Sequence, residues 1–274
     1  MSRFFPKRYC YFAKISVYLL PQIKYYNDVI KNFSHEVLNM FGLSERKEER
    51  LYKEVFEKDL VSDRTYNLYL GGVIIYGLLV NILICATCTE FALRMNPIVF
   101  LIGYLACVFG GTYISRKSDD PLTSFLGYNL VVVPIGLVVS TSVYYYGGLS
   151  SALVLQAIIY TAGMTIVMIC LSILKPSFFS KLGGLLLGSL FGLIIVELIL
   201  LVIGAPQSIT ALAGAILFSL YIGYDYYRAQ QYPKTVDNAV DSALDIYLDI
   251  INLFLRILRI LGNSKSSSSR KNHF

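Results

Sequence analysis

Charged side chains are scarce in this chain, at 15% of 274 residues, where a soluble domain carries roughly a quarter. With 55% of residues hydrophobic and long stretches free of any charge, a water-soluble globular protein is excluded and the lipid bilayer is the expected partner. Histidine is rarer still: the only two, His35 and His273, stand near the ends. The five cysteines (Cys10, Cys85, Cys88, Cys107, Cys170) are too few for a disulfide framework, and four lie in apolar runs. Cys85-Ala-Thr-Cys88 has the two-residue spacing of a redox or zinc pair, but no second pair follows. These thiols read as small apolar packing residues, and a redox or zinc enzyme is not supported. No cofactor is expected.

The charge that is present orients helices and does not coat a groove. The formal balance is +6, yet twelve of the 24 Lys and Arg precede Asn67, interleaved with nine acids. Most of the rest stand in short gaps between apolar runs, so nucleic acid is not an expected partner. The first residues are basic and aromatic (Arg3, Phe4, Phe5, Lys7, Arg8, Tyr9), and the apolar run Ile15–Leu20 ends at Pro21 without a small-residue cleavage site. A cleaved signal peptide is not expected. Within the charged segment 1–66, Ser44–Leu60 is predicted to be helical. Glu49–Lys53, Arg50–Glu54, Lys53–Glu57 and Glu54–Lys58 pair opposite charges four apart. Leu51, Tyr52, Val55, Phe56 and Leu60 line the other face, for packing on the membrane surface or beneath the bundle.

Seven apolar segments follow, over 67–93, 97–115, 123–145, 149–174, 183–204, 207–227 and 237–262. About 20 residues span the hydrocarbon core as helix, and these runs alternate too little for barrel strands. The fold class is therefore all-α, a polytopic seven-transmembrane-helix bundle over residues 67–262, with a basic Ser-rich tail, 263–274, expected to be disordered. Arg116 and Lys117, Lys175 and Lys181, and Arg228 and Lys234 occupy alternate gaps, which makes the N-terminal segment cytoplasmic. Lys265, Arg270 and Lys271 in the tail pull the other way, leaving a full seventh span or a re-entrant one open; the full span is taken. In segment five Gly184, Gly188 and Gly192 recur every four residues, a ridge suited to close helix approach.

Ionisable residues inside spans cost several kcal/mol unless paired, protonated or wetted, so they are the functional candidates. Glu90 sits near the end of segment one beside Arg94, while Glu197 is in mid-run in segment five. Segment seven differs in kind. Asp237, Asp241, Asp245, Asp249, Asn252, Arg256 and Arg259 are spaced 4, 4, 4, 3, 4 and 3, which places them within an arc of roughly 120°. This single polar stripe must face the bundle interior or water. Asp225 ends segment six, and the turn containing Pro233 makes segments six and seven an antiparallel hairpin. Helical rise puts Asp249 about 18 Å deeper than Asp225 if both helices are regular, so their contact requires segment six to end below the membrane surface or segment seven to begin well out in the cytoplasm.

The run Leu220-Tyr-Ile-Gly-Tyr-Asp225, then Ala243-Leu-Asp-Ile-Tyr-Leu-Asp-Ile-Ile-Asn-Leu-Phe254 and Leu258-Arg-Ile-Leu-Gly262, resembles the transmembrane Bax-inhibitor-motif family over 216–262. The resemblance implies a seven-helix protein of bacterial plasma membranes or eukaryotic internal membranes, associated with calcium leak and, in eukaryotes, with suppression of cell death. It implies that Asp225 and Asp249 form a hydrogen-bonded pair acting as pH sensor, and that an Arg at the end of helix two engages them. Arg116 is the candidate, with Lys117 beside it. Two buried carboxylates in contact cannot both ionise cheaply, and both are hard oxygen ligands suited to Ca2+ as the transported ion. Protonation would then release Arg116 and open a polar path, for which Asp245, Asp241, Asn252 and Glu197 are candidates. The long charged N-terminal segment, the basic tail and Asp245, at a position commonly uncharged in the family, depart from the pattern. The bacterial plasma membrane is the expected location, with the endoplasmic reticulum the alternative. Two other functions compete with it: an interaction protein without flux, acting through segment 1–66 on protein partners the sequence does not name, and an intramembrane aspartyl protease. The protease would need Gly-x-Gly-Asp at its second site, where this chain has Ile246-Tyr247-Leu248-Asp249; no enzyme is expected.

Overall fold

The computed structural model describes residues 59–204 and 208–271, without the side chains of 208 and 265–271. The expected Ser44–Leu60 helix lies outside the described residues except for its last two. Among the described residues the chain is helical throughout: α1 Asp63–Thr87, α2 Thr89–Arg94, α3 Pro97–Lys117, α4 Pro121–Tyr145, α5 Ala152–Leu174, α6 Pro176–Phe179, α7 Gly183–Val202, α8 Ser208–Gln231 and α9 Val236–Lys271. Six of these, α1, α3, α4, α5, α7 and α8, are long and apolar enough to cross a membrane. The expected seventh, α9, is long enough but carries the charges, so its passage depends on what surrounds it. The first apolar segment divides at Cys88 into α1 and α2. On α2 Glu90 meets Arg94 at 3.5 Å, both well exposed, a pairing worth little to stability. The helix of the tail continues to Lys271, where no structure was expected.

Local chemistry sets the boundaries. Ser62 caps α1 by accepting from Thr65 N at 3.1 Å. Asn96 caps α3, with Pro97 at its first position. Asp120 caps α4, accepting from the Thr123 hydroxyl at 2.8 Å and its N–H at 3.0 Å. These bonds hold the Asp120 carboxyl below its ordinary value, so the cap is intact above the usual carboxylate range and is lost as pH falls through the lowered value. Gly147 and Gly148, at φ 99° and 81°, end α4 in a left-handed turn that other residues adopt only under strain.

α9 is the central element. Its Ile246, Ile250 and Leu253 join Leu186, Leu193, Leu217, Phe218 and Ile222 of α7 and α8 in one core. Its Leu244, Tyr247, Ile251, Phe254 and Leu258 join Val73, Tyr128, Val131, Ile135 and Val139 of α1 and α4 in a second. By contrast, the outward faces of α1, α3 and α7 expose Leu68, Ile75, Leu83, Ile98, Phe109, Leu198 and Val202. An apolar surface of that extent is untenable in water and ordinary in lipid. The protein is an integral, multi-pass membrane protein. The ridge on α7 is not used as expected at both ends: Gly184 and Gly192 are exposed, and a Cβ at Gly192 would meet open space.

Glycines set two close approaches. The Tyr128 hydroxyl reaches Val73 O on α1 at 2.9 Å because Gly77 carries no side chain in its way. α3 and α4 cross where a Cβ at Gly127 would stand 2.6 Å from Ser115 N and 2.7 Å from Gly111 O. Both obstructing atoms are backbone and cannot step aside. Gly127→Ala is expected to lower stability by about 1–3 kcal/mol through overpacking. Gly72→Ala, into open space on α1, should be neutral or stabilising by up to about 1 kcal/mol. Thermal unfolding of the two variants in detergent compares them directly.

Candidate functional site: the acidic face of α9

The polar stripe read from the sequence is real as a surface of α9, and the bundle divides it between neighbours. At its start the α3–α4 joint closes over it. Ser124 of α4 donates to Asp237 at 2.5 Å and to Ser115 O at 3.0 Å. Ser115 of α3 donates to Asp241, and the next residue, Arg116, bonds Asp245 through Nη2. The Gly111–Gly127 crossing brings the end of α3 this close, since any side chain there would push the two backbones apart. Asp241 is 3% exposed, and the Arg116 and Asp245 side chains only 13% and 12%.

Asp225 and Asp249 are both buried, and Tyr221, one turn before Asp225 on α8, lies within the field of both carboxylates. α8 and α9 therefore bring the two acids to one tyrosine. Arg116 lies within the field of Asp241 and Asp225 and bonds Asp245 directly. Asp245 is one turn, about 6 Å, nearer the start of α9 than Asp249, level with the point where α3 ends and Arg116 emerges.

Further along, Asn252 donates its amide to Leu248 O of its own helix at 2.8 Å. Glu197 accepts from both terminal nitrogens of Arg256, Nη2 to Oε2 at 2.8 Å, with Arg259 at 3.8 Å. It stands apart from the carboxylates at the other end of the stripe. Among the described residues no three His, Cys, Asp or Glu side chains converge in a preformed metal cage. The turn joining α8 to α9 is fixed by Lys234, which donates to Gln230 O at 2.9 Å and lies over the Tyr66 ring at 4.3 Å. Burial pushes the Lys234 amine down, against the pull of Asp63. Tyr66 in turn donates to Ala229 O at 2.8 Å, tying the start of α1 to this hairpin.

Ser115, Ser124 and Tyr221 were missed from the sequence. A hydroxyl in an apolar helix gives no signal of its own, because Ser also bonds back to its own helix, as Ser219 does to Ala215 O. Only proximity to a carboxylate separates the two uses.

A sequence model of the family described as "Inhibitor of apoptosis-promoting Bax1" matches residues 59–266. An uncharacterized protein of Helicobacter pylori is 30% identical over 219 residues, 75% of this chain and 88% of its own length. Bax inhibitor 1 of Schizosaccharomyces pombe is 29% identical, covering 63% of this chain and 65% of that protein. The inner membrane protein YbhL of Escherichia coli is 26% identical, with 74% and 93% covered.

Removing one partner of a buried ion pair leaves the other uncompensated and costs about 3–5 kcal/mol. Arg116→Gln should therefore destabilise by about that amount, and Arg116→Gln with Asp245→Asn by clearly less. Chemical unfolding of the two variants in micelles measures the difference.

Proposed function

The chain belongs to the family of inhibitors of apoptosis-promoting Bax1, and on that premise we propose that it is a pH-responsive cation leak of its membrane, with Ca2+ as the transported ion. One observation carries the reading: Asp241 and Asp245 meet the end of α3 inside the bundle, Arg116 bonds Asp245 within the field of Asp241 and Asp225, and Asp249 is buried one turn further along α9. Carboxylates crowded in a medium of low polarity gain affinity for protons and for metal cations, and the cluster responds to either. At neutral pH the ionised carboxylates hold Arg116, and with it the end of α3, against α8 and α9. Protonation weakens that hold, and the polar face of α9 becomes the path. Asp245 is the direct grip on Arg116, while Asp225 and Asp249 beside Tyr221 set the charge of the cluster. The carboxylates are hard ligands that a passing Ca2+ exchanges for water.

Basic residues in alternate gaps between the apolar segments support a cytoplasmic N-terminal segment. The relatives from Helicobacter pylori and the Escherichia coli inner membrane support a bacterial plasma membrane. No catalytic role is assigned to the aspartates. Gly223, two residues before Asp225, is occupied in packing, since a Cβ there would collide with the Phe179 ring.

Ca2+ entry into dye-loaded proteoliposomes is expected to rise as pH falls between about 8 and 5. D225N/D249N should flatten that dependence. Absence of flux at every pH from folded, inserted protein would overturn the leak, and an unchanged pH profile in the double variant would remove the aspartates from its control.

A further inference from the structure

We propose that an acyl chain of a bilayer phospholipid enters the bundle between α1 and α5 and packs on α9. A cavity of about 590 Å3 lies there, walled by α1, α4 and α5 and floored by Ile250 and Phe254 of α9. It exists because α1 and α5 both pack on α9 and scarcely touch each other. Its lining runs along α1 from Gly71 to Cys85, a rise of about 21 Å. That is longer than half the hydrocarbon core, about 15 Å, the depth that the chains of one leaflet fill.

The mouth and the wall together name the occupant. Ile75 and Ile82 of α1 and Ile158 and Ile166 of α5 line the cavity, yet all four are exposed on the outer surface. The cavity is therefore continuous with the lipid-facing surface of the bundle, and acyl chain is the material at its mouth. The polar groups of the wall are turned to other uses. Thr161 donates to Ala157 O of its own helix at 2.7 Å, and Asn81 donates its amide to the Tyr247 hydroxyl at 2.8 Å. The Asn81 carbonyl oxygen and the Thr165 hydroxyl are buried. A surface of this kind repels a phosphate or a hydrated ion, which would lose its water without compensation. Hydrocarbon gives the walls the contacts that an open cavity forfeits.

Ile250 and Phe254 stand about 100° and 140° around α9 from Asp249. The acyl chain thus supports α9 from an apolar side and leaves the acidic face to its own partners. This holds whether or not the protein conducts.

The test reconstitutes wild-type protein with phosphatidylcholine carrying a diazirine in mid-chain, followed by illumination and peptide mapping by mass spectrometry. None of the described residues of α9 before Asn263 is exposed, so an adduct at Ile250 or Phe254 reports entry. Phe109 on the outward face of α3 reports the surrounding lipid. Adducts on both helices are expected; labelling of Phe109 with none at Ile250 or Phe254 overturns the site. G71L/A162L fills the mouth, since a Cβ at Gly71 meets open space and Ala162 is exposed. This variant is expected to lose the α9 adduct several-fold with Phe109 labelling unchanged, and an undiminished α9 adduct overturns entry between α1 and α5. If it does not fold, the wild-type map decides alone. Labelling of α9 by a diazirine fatty acid but not by the phospholipid also overturns the proposal, because the occupant is then a free amphiphile.

Discussion

Placing a charged helix in the middle of a membrane bundle is the constraint on which the rest of this structure depends. α9 carries Asp237, Asp241, Asp245, Asp249, Arg256 and Arg259, each expensive in hydrocarbon unless another group meets it. The neighbours supply those groups one by one: Ser124 for Asp237, Ser115 for Asp241, Arg116 for Asp245 and Glu197 for Arg256. The six apolar helices screen the arrangement from lipid, and two of them, α3 and α7, approach α9 mainly through these polar contacts. Their remaining surface faces outward.

The same arrangement gives the bundle parts that can separate. Apolar packing between α8 and α9, and between α4 and α1, is continuous along the helices, and opening it costs a large area of contact. α3 and α7 are held to α9 by a few charge-assisted bonds, whose strength depends on protonation and on local charge. Chemistry acting on a carboxylate can move a helix end only where the carboxylate is what holds it. Arg116 and Glu197 stand at those two places.

Much of this was legible in the chain. Apolar runs gave the helices to within a few residues, because the hydrocarbon thickness and the helical rise together fix their length. The 4-4-4-3-4-3 spacing gave the polar face of α9, because helical geometry converts spacing directly into direction. Asp225 and Asp249 were legible through the motifs around them. Arg116 was legible as a partner of the acidic face, but its bond to Asp245 was not. Depth along α9 depends on where α3 ends relative to it, and no spacing within either helix states that offset.

What the sequence determined by itself is therefore one-dimensional: membrane residence, the all-helical character of the spans, and the face on which α9 carries its charges. Each follows from local composition and a fixed rise per residue. Tertiary structure decided which groups meet. It turned Glu197 from an isolated acid into the partner of Arg256 through the notch at Gly214. It also joined Ser115 and Ser124 to the acidic face through the Gly111–Gly127 crossing. Those pairings join residues 59 to 126 positions apart. They depend on how helices cross, and a crossing is set by the packing of two surfaces at once, which neither surface encodes alone.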